Sequence, residues 1–247
     1  MARYGRNFFH YSAAVRSGHV FPRPPVARYD ARMEITEQHK RILLDAARMA
    51  IREALRGNYR YKIPGTSDPV LLMPAGCFVT LHEIGTHRLR GCIGRLQTTD
   101  PLIKTVHETA QSACQDPRFR MNPVTMAELP RLDLEISILT PLQPARNVLD
   151  FDPLQDGIYL MCRGRSGTFL PQVARETGWD REQLLTRLCA DKMGLPPDAW
   201  KDPQAQLLKY QVTVIGPEPF VLPEKDSGAA GPSAGAAPPE SGTDRST

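Results

Sequence analysis

The sequence lacks any run of apolar residues approaching the roughly 20 that a membrane-spanning helix needs. It also lacks the apolar core of a secretory signal, because arginine and histidine side chains interrupt the short apolar stretches near its N-terminus. Its five cysteines form no CxxC pair and show no regular spacing, which is typical of free thiols in a reducing compartment. These absences predict a cytoplasmic protein that does not enter a membrane.

Nucleotide-binding and metal-binding motifs are also missing. The chain contains no GxxxxGK[ST] loop, no HExxH pair and no internal repeat. His82 and His87 flank a turn, so they could hold zinc with Cys77 or Cys92, or they could be ordinary polar residues at strand ends. Because no recognised ligand spacing supports zinc, we predict neither a metal site nor a cofactor.

The formal charge of +4 is unevenly distributed along the chain. Residues 1–32 contain six arginines against one acid, and residues 222–247 carry a net charge of −2, so the part between them is nearly neutral. A near-neutral body argues against a folded surface built for nucleic acid and would leave any such role to the N-terminal arm. We therefore do not expect a nucleic-acid partner.

Composition divides the chain into three parts. Residues 1–32 form a basic arm that contains several aromatic residues, and residues 33–221 form the folded domain. Residues 222–247 are rich in Gly, Ala, Pro and Ser, and they cannot bury enough apolar surface to offset their ordering entropy. They are predicted to be a disordered tail.

Helical and strand-like patterns follow one another irregularly within the domain. Helices are predicted after N-caps at Thr36, Asp100 and Asp180. Strands are predicted at residues 77–82, 87–93, 132–140, 158–162, 168–170 and 210–215, several of them paired as hairpins. Because regular βαβ units are missing, this order predicts an α+β fold with a mostly antiparallel sheet and flanking helices.

The strand at residues 132–140 alternates most clearly. Its apolar residues face one side, and Asp133, Glu135 and Ser137 face the other. If the polar face is covered, Glu135 needs a partner and becomes a candidate general acid or base. If that face is exposed, the three are ordinary outward positions, which is the more frequent case.

The segment Leu89–Arg95, LRGCIGR, is the most unusual stretch of the chain. Gly91 and Gly94 free the backbone around Cys92, so main-chain N–H groups there could point outward. A thiol in such surroundings is a candidate nucleophile or redox centre. Alternatively, Cys92 is a small buried residue and the glycines mark a bulge or a close backbone approach.

Four segments occur in an informative order: LRGCIG at 89–94, DPRF at 116–119, the strand around Glu135 and Ser137 that runs into Thr140, and LPQV at 170–173. Together they resemble the AMMECR domain family, also called AmmeMemoRadiSam system protein A. The resemblance covers about residues 35–220. Within it, Thr168 and Phe169 stand where the family has aliphatic residues.

The resemblance implies an α+β domain with a larger and a smaller lobe, and a groove near LRGCIG. It also implies a partnership with a Memo-like protein, itself similar to extradiol dioxygenases, and with a radical SAM protein that carries an iron–sulfur cluster. It supplies no established reaction. The matched positions that it places around a family site are Arg90, Gly91, Cys92, Gly94, Arg118, Glu135 and Gln172.

Two functional hypotheses follow. In the first, the protein modifies or presents a small substrate or a peptide in the LRGCIG groove. Cys92 and Glu135 are then the catalytic residues, and the groove is lined by Arg90, Gly91, Gly94, Arg118, Gln172 and His82. In the second, the same groove is a non-catalytic module that binds a partner protein.

Overall fold

The computed structural model describes residues 34–222, which form two four-stranded antiparallel sheets packed against helices. This architecture confirms the predicted α+β fold with mostly antiparallel pairing. The predictions for the arm at residues 1–32 and for the tail beyond Leu222 concern residues outside the described range. Leu222 itself packs, partly buried, against the core of the first sheet.

In chain order, the helices and strands are α1 (Glu37–Leu55), α2 (Pro69–Leu72), β1 (Cys77–Glu83), β2 (Leu89–Arg95), α3 (Leu102–Ala113), β3 (Leu132–Leu139), β4 (Gln143–Pro144), β5 (Gly157–Cys162), β6 (Arg165–Phe169), α4 (Pro171–Thr177), α5 (Arg181–Arg187), β7 (Gln206–Tyr210) and β8 (Val212–Pro219). A π-helical turn, Leu188–Lys192, directly extends α5.

The first sheet has the strand order β2–β1–β3–β8 and is covered on one face by α1 and α3. The alternation predicted for β3 places its apolar residues on that face, where Leu132, Leu134, Ile136 and Ile138 are all buried in one core. Because burial of apolar surface contributes about 25 cal/mol per Å², this contact is the main stabilising interaction of the first sheet with α1 and α3.

Two of the three predicted helix caps are confirmed. Thr36 and Asp180 each accept a hydrogen bond from a backbone N–H of the first turn and complete a capping box. The cap predicted at Asp100 is wrong by one residue, because α3 starts after Pro101, whose extended backbone forms a bridge with Pro74. The Asp100 carboxylate instead pairs with Lys104 at 2.7 Å.

The second sheet has the order β4–β7–β5–β6 and packs against α4, α5 and the π-helical turn. The strand predicted at residues 210–215 is wrong as one element, because it is divided between the two sheets. The chain leaves the second sheet after Tyr210 and enters the first at Val212. Gln211 marks this crossing, where its N–H donates to Thr140 Oγ1 at 2.9 Å and its carbonyl accepts from the Thr140 N–H at 3.0 Å.

Side chains of both sheets meet in a third buried cluster. It contains Phe78, Cys92 and Leu139 from the first sheet and its end, with Tyr159, Leu170 and Tyr210 from the second. The face of the first sheet that carries Cys92 is therefore turned toward the second sheet. Within residues 34–222, no helix combines the length and the apolarity needed to cross a membrane.

Candidate functional site

Three polar side chains form a row across the first sheet. Thr80 of β1 pairs with Cys92 of β2 on one side and with Glu135 of β3 on the other. Directly paired residues of antiparallel strands share a face, so all three point toward the second sheet. We refer to this row, together with Ser137, Gln172 and Lys192, as the inter-sheet cluster.

Cys92 is fixed by its backbone at the open edge of β2. Its N–H donates to Asp116 Oδ2 at 2.9 Å, and its carbonyl accepts from Arg118 Nη2 at 2.9 Å, while Arg118 also pairs with the Asp116 carboxylate. Because these backbone groups point away from β1, Cys92 and Thr80 form a non-hydrogen-bonded pair, in which side chains lie closest. Thr80 Oγ1 lies 3.0 Å from Cys92 Sγ, and Cys92 is only 3% exposed.

Gly91 and Gly94 are required by close approach. A Cβ atom at Gly91 would collide with the backbone carbonyl of Ala113 at the end of α3, and one at Gly94 would collide with the ring of Phe78. The outward N–H of Cys92 is used internally by Asp116. The glycines therefore bring LRGCIG against α3 and Phe78, as in the second of the two alternatives drawn from the sequence.

The Arg90 guanidinium lies apart from the inter-sheet cluster. It pairs with Glu128 at 2.8 Å, donates to the Asn122 carbonyl at 3.1 Å and lies 5.5 Å from the centroid of the Phe119 ring. The side chain is almost fully buried, and leaving it unpaired would be costly. These contacts tie the loop after DPRF to β2, so Arg90 supports the site without reaching Cys92.

The polar face of β3 is covered, which is the alternative that makes Glu135 a candidate acid or base. Ser137 Oγ donates to Glu135 Oε1 at 3.4 Å and accepts from Gln172 Nε2 at 3.3 Å. Burial raises the pKa of Glu135 above its ordinary value, a bond from Ser137 opposes the shift, and the Glu176 carboxylate adds to it. Gln172 Oε1 is buried and accepts no hydrogen bond from any described residue.

His82 lies on the same face of β1 two residues after Thr80, and it pairs with Asp133 of β3 rather than with Glu135. Its Nδ1 is 4.0 Å from Asp133 Oδ1, and burial lowers the pKa of the imidazole despite that carboxylate. His87 lies in the turn of the β1–β2 hairpin, and His107 is a residue of α3 that packs against Tyr61. Neither shares the face of the first sheet that carries Cys92. Among residues 34–222, no three or more His, Cys, Asp or Glu side chains are grouped to hold a metal ion.

Lys192, which no sequence pattern singled out, reaches the same region from the π-helical turn. Its ammonium lies 5.8 Å from the centroid of the Phe169 ring, and its charge interacts with Cys92 and Arg118. Burial, with Arg118 adding to it, lowers the pKa of Lys192 to about 8. Lys192 falls in the helix predicted after Asp180, but the spacing of the residues there does not distinguish the π-helical turn from an ordinary α-helical one.

An open depression of about 840 Å³ lies elsewhere, beside α5. Its walls include Trp179 and Arg187, which stack with the guanidinium 5.5 Å from the ring centroid. None of the predicted site residues lines it. The concave surface and the concentration of reactive side chains are therefore at different places, and the chemistry favours the inter-sheet cluster.

Comparison with known families gives a match over most of the described chain. A family model described as AMMECR1 matches residues 44–215. A protein of Methanothermobacter thermautotrophicus is 39% identical over 188 residues, which cover 73% of this chain and 95% of that protein. A protein of Thermococcus gammatolerans is 35% identical over 193 residues, covering 74% and 93% respectively.

A solved structure agrees with these matches. The crystal structure of the uncharacterized protein PH0010 from Pyrococcus horikoshii matches with a TM-score of 0.66 and 33% sequence identity. The match covers 72% of this chain and 91% of that chain. At this identity and coverage, the similarity concerns the whole domain rather than one motif.

Proposed function

Because the chain belongs to the AMMECR1 family, we propose that it binds a small substrate or a peptide segment at the inter-sheet cluster and acts on it or presents it. In this proposal it works together with a Memo-like protein and a radical SAM protein, as the family resemblance implies. The LRGCIG segment supplies one wall of the site, and Gln172 and Lys192 supply the opposite one.

The row of Cys92, Thr80 and Glu135 is the observation that carries the proposal. The face between two packed sheets is where apolar side chains stabilise a fold most, and polar groups there cost free energy unless they are paired. This face nevertheless holds a thiol and a carboxyl group with a raised pKa, and the amine of Lys192, whose pKa is lowered, is close enough to interact with the thiol. Perturbed groups gathered in one place are typical of functional sites.

The geometry suggests a distinct role for each group. Cys92 and Glu135 are the proposed catalytic residues, because a thiol is a nucleophile and a carboxyl group with a raised pKa keeps its proton closer to neutral pH. Asp116 and Arg118 are positioning residues, since they hold the backbone of Cys92. Gln172 Oε1 is a hydrogen-bond acceptor available to a ligand N–H or O–H.

Site-resolved alkylation tests the proposal. The native protein is treated with iodoacetamide from about pH 6 to about pH 9, and labelling of each cysteine is quantified by peptide mass spectrometry. Cys77 and Cys114 are internal controls, because burial raises the pKa of each thiol to about 12. We expect Cys92 to label about tenfold faster than either control. The Lys192→Met variant should slow Cys92 and leave the two controls unchanged.

The non-catalytic module is the second candidate, and one observation favours it. Cys92 is only 3% exposed, and both its backbone groups and its side chain are bonded within the domain. Labelling of Cys92 no faster than that of Cys77 would overturn the catalytic proposal. In that case, the purified Memo-like protein of the same genome is added to the chain. If it protects Cys92 from alkylation or Gln172 from hydrogen exchange, these residues belong to a partner-binding surface.

A further inference from the structure

The π-helical turn fixes the direction of Lys192. The turn is closed by the Met193 N–H, which donates to the Leu188 carbonyl five residues earlier at 3.1 Å. One extra residue in a helical turn rotates the residues after it, and such turns are frequent at functional sites. Here the rotated residue is Lys192, whose stem packs beside Gly167 of β6.

The surroundings of Lys192 combine an apolar wall with reactive groups. The Phe169 ring covers one side of the side chain, at a position where the family resemblance would place an aliphatic residue. Cys92 and Arg118 are close enough to act on its charge. The Arg118 guanidinium pairs with Asp116 and is not a nucleophile, whereas an amine and a thiol both are.

We propose that Lys192 is an amine nucleophile that forms an imine with an aldehyde or ketone ligand bound at the inter-sheet cluster, an inference that rests on the proposed ligand site. Three features support it: the directed lysine, the aromatic wall and the neighbouring thiol. A carbonyl compound is the ligand class toward which an amine and a thiol both react at neutral pH without an oxidant.

The reaction balances without a further reagent. The lone pair of neutral Nζ attacks the carbonyl carbon, a C–N bond forms, and the C=O electron pair moves to oxygen, which takes up a proton. The nitrogen of this adduct loses one proton to give the neutral carbinolamine. Its hydroxyl group then takes up a proton and leaves as water, while the nitrogen lone pair forms the C=N bond. The resulting iminium ion loses its remaining N–H proton to give the imine. The dehydration needs a proton donor, a role that solvent water or buffer fills.

The protonation state of Lys192 suits this chemistry. At a pKa of about 8, roughly 10% of the side chain is neutral at pH 7, against about 0.03% for an ordinary lysine. Besides burial, Arg118 lowers the pKa, and Asp191 and Cys92 act in the opposite direction. A lysine that only bound an anion would gain nothing from burial that reduces its charge.

Reductive trapping on the full chain tests the inference. The protein is incubated with propanal and cyanoborohydride, which reduces an imine to a stable propylamine, and each lysine is mapped by mass spectrometry. Lys62 and Lys201 are exposed references on the same molecule. We expect Lys192 to be alkylated about tenfold faster than either near pH 7, with a rate that rises with an inflection near the pKa of about 8.

Two matched variants test whether the fast reaction belongs to Lys192. The Lys192→Arg variant keeps the positive charge but cannot form an imine, so the fast phase should vanish, whereas Lys201→Arg should keep it. A thermal melt establishes that each variant folds, and the wild-type measurement stands without them. Equal rates at Lys192, Lys62 and Lys201 would overturn the inference. Rapid alkylation of Cys92 alongside such equal rates would leave the ligand site supported, so the two failures are distinguishable.

Discussion

Glu135 shows how its surroundings in the fold change the protonation behaviour of a single residue. In the sequence it is one polar position in an alternating strand, and alternation alone does not distinguish a solvent-facing carboxylate from a buried one. In the fold its face is turned toward the second sheet, and its side chain accepts a hydrogen bond from the Ser137 hydroxyl. The carboxyl group is thereby held in the protonated form over a wider pH range than in water.

The raised pKa of Glu135 predicts how the free energy of unfolding depends on pH. Between the unfolded and the folded pKa the native state binds more protons, so the free energy of unfolding falls as pH rises through that interval. The loss is about 1.4 kcal/mol for each pH unit separating the two pKa values. We expect Glu135→Gln to remove this slope when urea unfolding is measured from about pH 4 to about pH 8.

Ser137→Ala provides the opposing variant. It removes the hydrogen bond that favours the ionised carboxylate, so the fall in unfolding free energy should extend to higher pH. Identical pH dependence in wild type and Glu135→Gln would mean that the Glu135 carboxylate is solvated as in the unfolded chain.

At the scale of elements, β2 is an edge strand whose outer side is occupied by side chains. The Asp116 carboxylate and the Arg118 guanidinium take the hydrogen-bonding positions that a further strand would use, which protects the edge from pairing with another chain. The glycines of LRGCIG allow α3 and Phe78 to approach this strand. The motif is thus a packing feature that also fixes the position of a thiol.

Substitution of Gly91 tests this interpretation. In Gly91→Ala the new methyl group would meet the Ala113 carbonyl, which is backbone and cannot rotate away. Overpacking of this kind costs about 1–3 kcal/mol or more, and the Tm should fall accordingly. Gly65→Ala is the matched control, because a Cβ there meets nothing within 4 Å and its φ is not positive. Equal melting temperatures for the two variants would contradict the close approach of α3.

The three helices that start near Thr36, Asp100 and Asp180, the two hairpins and the two faces of β3 were predictable, because each depends on local periodicity, turns or capping. The short helices α2 and α4 were not predicted. The division of residues 206–219 into β7 and β8 was not, because Gln211 interrupts the pattern through a contact with Thr140, which is distant in sequence. Lys192 escaped prediction for a related reason, since α-helical and π-helical turns use the same residue types. Cys92 and Glu135 were singled out, but only the pairing of both with Thr80 places them in one row.

At the scale of the whole molecule, the described body ends where its core ends. Phe220 is buried against the first sheet and α1, and its N–H donates to the Leu132 carbonyl at 2.9 Å. Arg48 of α1 donates to the Pro219 carbonyl at 2.9 Å, which ties the end of β8 to the first helix. The last described residues therefore belong to the same packed unit as the first sheet and α1.

Truncation locates this boundary. We expect a chain of residues 33–222 to unfold in urea with the same midpoint as the full chain, because residues 1–32 and 223–247 lie outside the domain predicted from the sequence. In the full chain, Phe220→Ala should lower the unfolding free energy by about 3–5 kcal/mol, because it empties a buried aromatic position. A midpoint for residues 33–222 as low as that of Phe220→Ala would assign the missing stability to the arm or the tail. An unchanged midpoint would show that the domain containing Cys92, Thr80 and Glu135 folds without the arm and the tail. The alkylation and trapping experiments could then be repeated on that domain.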